Sequence, residues 1–276
     1  MSERTRSTPL PMSLRLLPAA TYVLTLVGVL LGNGVFGPEG GVGQAESLAA
    51  TPTLLKPAGA AFGIWSLIYL LLLGYVIWQA TDAGARSPRA RVILWPAVGS
   101  LLLNAVWIVV VQVAGSVWGS VLVMLALLAC LVLVQRGLAG HRPVGAVEKV
   151  LLGVTFGLYL GWINVATLAN VTFAGVVSWP GVGAVVSRFL AVVVLAAALG
   201  VAAFVLPRVS EPVSVALAMA WGLSWIAVER LTTAPESLLV AVVAIAVAVG
   251  VLVMLGGVLR DRRDPRTARA ARGPAS

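Results

Sequence analysis

The sequence predicts an all-α membrane protein with about eight transmembrane helices, and three observations carry that expectation. Hydrophobic residues make up 60% of the chain and charged residues only 11%, with a mean hydropathy of +1.01, a balance foreign to water-soluble domains. Apolar runs at 16–36, 57–80, 92–114, 117–134, 150–173, 185–206, 213–228 and 238–259 approach or exceed the roughly 20 residues that cross a hydrocarbon layer at helical rise. None has the strict alternation of a membrane barrel strand. A backbone deprived of water must satisfy its hydrogen bonds internally, so each run is expected to be helical.

The first run follows Arg4, Arg6 and Arg15 and is longer than the apolar core of a signal peptide. A retained helix is therefore expected, with cleavage near Gly43, Gln44 and Ala45 as the alternative. The seventh run is short and is the weakest of the eight. With the N-terminus inside, 16 lysines and arginines fall on the inner side and 3 (Lys56, Arg188 and Arg230) on the outer. That asymmetry puts both termini in the cytoplasm and favours an even number of spans. The net charge of +9 then serves orientation, and no nucleic-acid partner is expected. Lysine occurs only at Lys56 and Lys149, while arginine, alanine, valine and glycine abound. This reads as a GC-rich bacterial coding bias, with the bacterial inner (plasma) membrane as the expected location.

Gly175, Pro180, Gly181 and Gly183 cluster after the fifth run and mark a loop. The expected organisation is a five-helix bundle over 1–173, a further three-helix unit over 174–259 and a basic cytoplasmic tail over 260–276. The tail carries arginines beside Asp261 and Asp264 without an apolar period, as a disordered segment does. It is either a topology anchor or a contact for anionic lipid.

No Asp, Glu, Lys or Arg lies in the middle of any run, His141 is in a loop, and Cys130 is alone. Ion-coupled pumping, metal ligation and acid–base catalysis lack their parts, so neither an enzyme nor a required cofactor is expected. The interior instead holds rings and amides: Trp65 and Tyr69 on the second helix, Asn104 and Trp107 on the third, and Tyr159, Trp162, Asn164 and Asn170 on the fifth. At helical spacing, Tyr159, Trp162, Ala166 and Asn170 share one side of the fifth helix, while Gly153, Gly157, Gly161 and Asn164 share the other. The glycines, like Gly28 and Gly32 on the first helix, let another helix approach closely, either within the chain or in a homodimer, and Asn164 is positioned to bond across such a contact. The aromatic side either packs the interior or lines a cavity for a flat apolar ligand with polar edges. Trp221 and Trp225 share that ambiguity, whereas Trp118 and Trp179 fit an interfacial belt.

Three of these segments, in order and at matching spacing, resemble the TspO/MBR (translocator protein, tryptophan-rich sensory protein) family. Phe62, Trp65 and Tyr69 in AFGIWSLIYL resemble its second helix, Asn104 and Trp107 in LLLNAVW its third, and YLGWINVATLAN from Tyr159 to Asn170 its fifth. The resemblance covers roughly the first 173 residues and implies a five-helix bundle enclosing a pocket for porphyrins or related flat hydrophobic molecules. Where the family carries a tryptophan and paired prolines before the second helix, this chain reads Lys56, Pro57, Ala58, Gly59 and Ala60. Combining the motifs with the aromatic face, the expected ligand-binding set is Phe62, Trp65, Tyr69, Asn104, Trp107, Tyr159, Trp162, Ala166 and Asn170, and the resemblance implies that Asn170 belongs to the structural end of the pocket. The implied function is that of a sensor or carrier for tetrapyrroles (porphyrin) or another flat hydrophobic small molecule. The alternative is an uncoupled small-molecule membrane transporter.

Overall fold

The computed structural model describes residues 8–32, 53–111 and 115–264. Eight helices among them are long and apolar enough to span a membrane, and every expected run contributes one. We denote them α1 (Met12–Gly32), α2 (Ile64–Ala80), α3 (Pro88–Val109), α4 (Val117–Ala139), α5 (Thr155–Ser178), α6 (Ala184–Val205), α7 (Pro212–Thr232) and α8 (Leu238–Arg263). The far ends of the first and third expected runs, the cleavage alternative, Arg4, Arg6 and residues 265–276 lie outside the described residues.

Short polar residues start several helices where the chain turns back. Ser87 precedes Pro88 at the head of α3 and accepts a hydrogen bond from the Ala90 amide at 3.1 Å. Ser116 does the same for Gly119 at the head of α4, directly after Gly115, whose φ of 61° suits a residue without a Cβ. Ser237 caps α8. A 3-10 turn at Gly59–Gly63 leads into α2, and a π-helical turn at Lys149–Val154 leads into α5. The π turn leaves the Gly153 carbonyl needing an outside donor. Gln135 of α4 supplies it through Nε2 at 2.9 Å, while its Oε1 accepts from the Glu211 amide at 3.3 Å.

The most enclosed of the eight spans is the one containing α5. It touches α2, α4, α6 and α7, while α1 packs on α2 and α3, α3 on α4, and α8 on both α6 and α7. The glycines of α5 explain its closest contact. A Cβ built on Gly161 would stand 2.8 Å from the Cβ of Ala218, and one on Gly157 would stand 3.1 Å from the Cβ of Ser214, so α7 lies against the α5 backbone. Gly28 faces Ala105 and Ile108 of α3 more loosely, since a Cβ there would stand at ordinary contact distance, 3.6 Å from Ile108 and 3.7 Å from Ala105. Both described glycine faces are thus filled from within the chain, and a homodimer would have to use another surface. Asn164 does not bond across the contact as expected; its Nδ2 donates to the Leu160 carbonyl of its own helix at 2.8 Å.

Three boundaries differ from expectation. Gly175 belongs to α5, which continues to Ser178 before Trp179, Pro180 and Gly181 turn the chain, so position 173 falls within a helix. The weak seventh run becomes the 21-residue α7 and is well buried. The first residues of the expected disordered tail are helical, because α8 runs on to Arg263. Arg262 fastens that end by donating to the Val209 and Ser210 carbonyls at 2.7 and 3.3 Å, and the basic last turn suits the negative end of the helix dipole.

Two arginines expected to serve only as orientation signals are buried at span ends, each 1% exposed. Arg89 donates to Ser210 at 3.0 Å, which ties α3 to the turn before α7. Close by in the chain, Ser87 donates to the Glu148 carboxylate, which also accepts from the Val144 amide at 2.6 Å. At the opposite end of α7, Arg230 donates to the Pro235 carbonyl at 2.6 Å.

Candidate ligand site

The centre of the site is the α2–α5 contact. Trp65 and Tyr69 are one helical turn apart on α2 and stack with centroids 5.1 Å apart and planes inclined by 16°. Across the contact, Tyr159 and Trp162 of α5 present their rings to Trp65 nearly edge-on, at 5.7 and 6.3 Å. Phe62, on the turn before α2, meets Trp162 edge-on at 5.6 Å. Such offset and T-shaped arrangements are those the ring quadrupoles favour. Five of the nine expected site residues therefore form one continuous aromatic cluster.

Polar groups on α1 and α3 hold its rim. Asn104 is buried and donates through Nδ2 to the Tyr69 hydroxyl at 3.1 Å. Tyr22 donates its hydroxyl to the Tyr69 carbonyl at 2.9 Å, and Thr25 donates to the Leu101 carbonyl at 2.8 Å. These bonds fix α2 and α3 against α1 at the level of the rings. Trp107 and Ala166 are partly buried against the core, and the Trp107 indole nitrogen has no partner among the described residues. Asn170 lies apart, about 12 Å along α5 from Trp162 by helical rise. Its Oδ1 accepts from Ser120 of α4 at 2.9 Å, which makes it a clasp between α4 and α5.

The buried cluster has polar atoms to spare. Tyr159 and Trp162 are fully buried, and among the described residues neither the Tyr159 hydroxyl nor the Trp162 indole N–H has a hydrogen-bond partner. Leaving such a group unmet costs about 1–3 kcal/mol. The outer edge is open, since Phe62 is 47% exposed.

Trp221 of α7 donates its indole N–H to the Ala61 carbonyl at 3.0 Å, and the Ala58 amide donates to the Trp225 carbonyl at 3.2 Å. The turn that carries Phe62 is thus held from the C-terminal helices, with a tryptophan from α7 beside a turn that has none of its own. Spacing marked Trp221 as ambiguous and gave no sign of its partner. Tyr22 was not singled out; an aromatic residue with a polar tip inside the first run was the available signal. A cavity of about 420 Å³ also opens between α5 and α6, and none of the nine expected residues lines it.

These features define a multi-pass helical membrane protein whose interior, at one level, is built of rings and amides in place of charges. The chain belongs to the TSPO-like protein family, whose model matches residues 15–256, from within α1 to within α8. Comparison with curated proteins and with solved structures gave no match.

Proposed function

We propose that this protein is a membrane binder of flat hydrophobic molecules, tetrapyrroles being the leading class, and that it acts as a sensor or carrier without catalysing a reaction. Its setting in this reading is a bacterial inner membrane with both termini cytoplasmic. The observation that carries the reading is the pair of unspent buried groups, the Tyr159 hydroxyl and the Trp162 indole N–H, inside a cluster of edge-on and stacked rings. A planar ligand with acceptor atoms on its edge answers both features, offering a π face to the rings and oxygens to the donors. Family membership supports the same reading. Phe62 and Trp65, at the less buried edge of the cluster, are the rings that would part to admit it.

The test is a titration of the purified protein in nanodiscs with protoporphyrin, following tryptophan fluorescence in the wild type and in Trp162→Phe and Asn104→Ala. Saturable quenching that both substitutions weaken supports the site. Linear quenching indifferent to both substitutions means partitioning into lipid and overturns it.

A further inference from the structure

The cavity between α5 and α6 lies outside the aromatic cluster and has its own chemistry. It forms because α6 leans on α8: Leu199 of α6 fits over Gly250 of α8, and α6 buries Leu195, Ala198 and Ala202 in the same stripe. The α5-facing side of the first half of α6 is left uncovered. Val171, Gly175 and Val176 form one wall and Leu190, Ala191 and Val194 the other. A Cβ on Gly175 would meet nothing within 4 Å, which confirms open space at that point. At about 420 Å³ the cavity falls within the range of small-molecule sites, roughly 300–1,000 Å³.

The rim is charged with both signs. Arg188, one turn into α6, and Glu236, on the turn between α7 and α8, both line the cavity, and among the described residues neither side chain makes an ion pair or hydrogen bond. The Glu236 backbone is held firmly. Arg230 donates to the Pro235 carbonyl at 2.6 Å, and the Ser237 amide donates to the Arg230 carbonyl at 3.0 Å. Trp118 and Trp179 also line the cavity, with rings 5.9 Å apart and the Trp118 indole N–H bonded to Ser178 at 2.8 Å. A tryptophan pair at span ends marks headgroup level.

We propose that this cleft binds one zwitterionic phospholipid of the phosphatidylethanolamine class, with an acyl chain between α5 and α6, its phosphate at Arg188 and its ammonium group at Glu236. Charge complementarity selects this occupant. A singly anionic amphiphile satisfies Arg188 and is repelled by Glu236, a singly cationic one does the reverse, and a neutral one leaves both charges unmet. An ethanolamine headgroup carries both charges, its phosphate and ammonium joined by a two-carbon linker, and supplies N–H donors to the carboxylate.

Native mass spectrometry of the full-length, delipidated protein tests this, with phosphatidylethanolamine or phosphatidylglycerol of identical chains added back. The expected result is one phosphatidylethanolamine retained in preference to phosphatidylglycerol. Arg188→Gln and Glu236→Gln should each weaken retention about ten-fold, the loss of one charge-assisted bond. Gly175→Leu, which fills the open space, should abolish it without lowering the Tm. Equal retention of the two lipids overturns the proposal, as does a preference for phosphatidylglycerol that Glu236→Gln strengthens, or retention indifferent to both charge substitutions. Protoporphyrin quenching of the Arg188→Gln protein should match wild type, so failure here is separable from failure at the aromatic cluster.

Discussion

Gly161→Ala adds a single methyl group at the α5–α7 contact, and the structure gives the sign of its effect. The new carbon would lie 2.8 Å from the Cβ of Ala218 and 3.1 Å from the carbonyl carbon of Val215, with the Val215 oxygen closer still. Unstrained carbon contacts stand at about 3.5–4.0 Å, so the helices must separate by about 1 Å. A backbone carbonyl and a methyl group have no rotamer by which to retreat. Overpacking of this kind costs about 1–3 kcal/mol. For a chain of this size that corresponds to a Tm lowered by about 2–6 °C. Gly200→Ala is the matched control: Gly200 lies within α6, and a Cβ there meets nothing within 4 Å. The same chemical change should there stabilise by up to about 1 kcal/mol through helix propensity. Thermal unfolding of both variants in one detergent, followed by intrinsic tryptophan fluorescence, makes the comparison. Equal shifts at the two positions would refute the close approach of α7 to the glycine face of α5.

Gln135→Leu strips partners from both the Gly153 carbonyl and the Glu211 amide. It should lower stability by about 2–4 kcal/mol, read in the same unfolding assay, because two backbone groups lose their bonds together. Trp221→Phe keeps a ring but loses the bond to Ala61, so hydrogen exchange across 58–63 should accelerate and protoporphyrin quenching should weaken through the freed Phe62. Arg230→Gln releases the Pro235 carbonyl, and amide exchange at 233–237 should accelerate while exchange within α2 stays unchanged.

Apolar length made all eight spans legible, because a bilayer leaves a backbone run few alternatives to a helix. The aromatic cluster was legible for a local reason: Trp65 with Tyr69, and Tyr159 with Trp162, are spaced to share a helix face, and two such faces met. What spacing withheld was which helix lies against which. The glycines of α5 announced a close neighbour without naming α7. Asn164 had equally good partners across the contact and within its own turn, and took the nearer one. Arg89 and Arg230 carried the same sequence signal as the exposed basic residues near span ends, and only the packing of α3 and α7 shows them buried. The α5–α6 cleft left no pattern at all, since it arises from α6 preferring α8.

The C-terminal helices bear directly on the aromatic site. Phe62 reaches Trp162 from a turn whose Ala61 carbonyl and Ala58 amide are both tied to tryptophans of α7, and α7 is in turn registered on α5 by Gly157 and Gly161. A shift of α7 along α5 therefore moves both the turn carrying Phe62 and the backbone behind Tyr159 and Trp162. In the proposed reading those rings part to admit a planar ligand, and α7, which packs on both α5 and α8, is the helix that would feel its entry. The basic last turn of α8 is anchored by Arg262 to the turn before α7, so the proposed sensor would be tested at that end by hydrogen exchange with and without protoporphyrin, where unchanged exchange would refute transmission through α7.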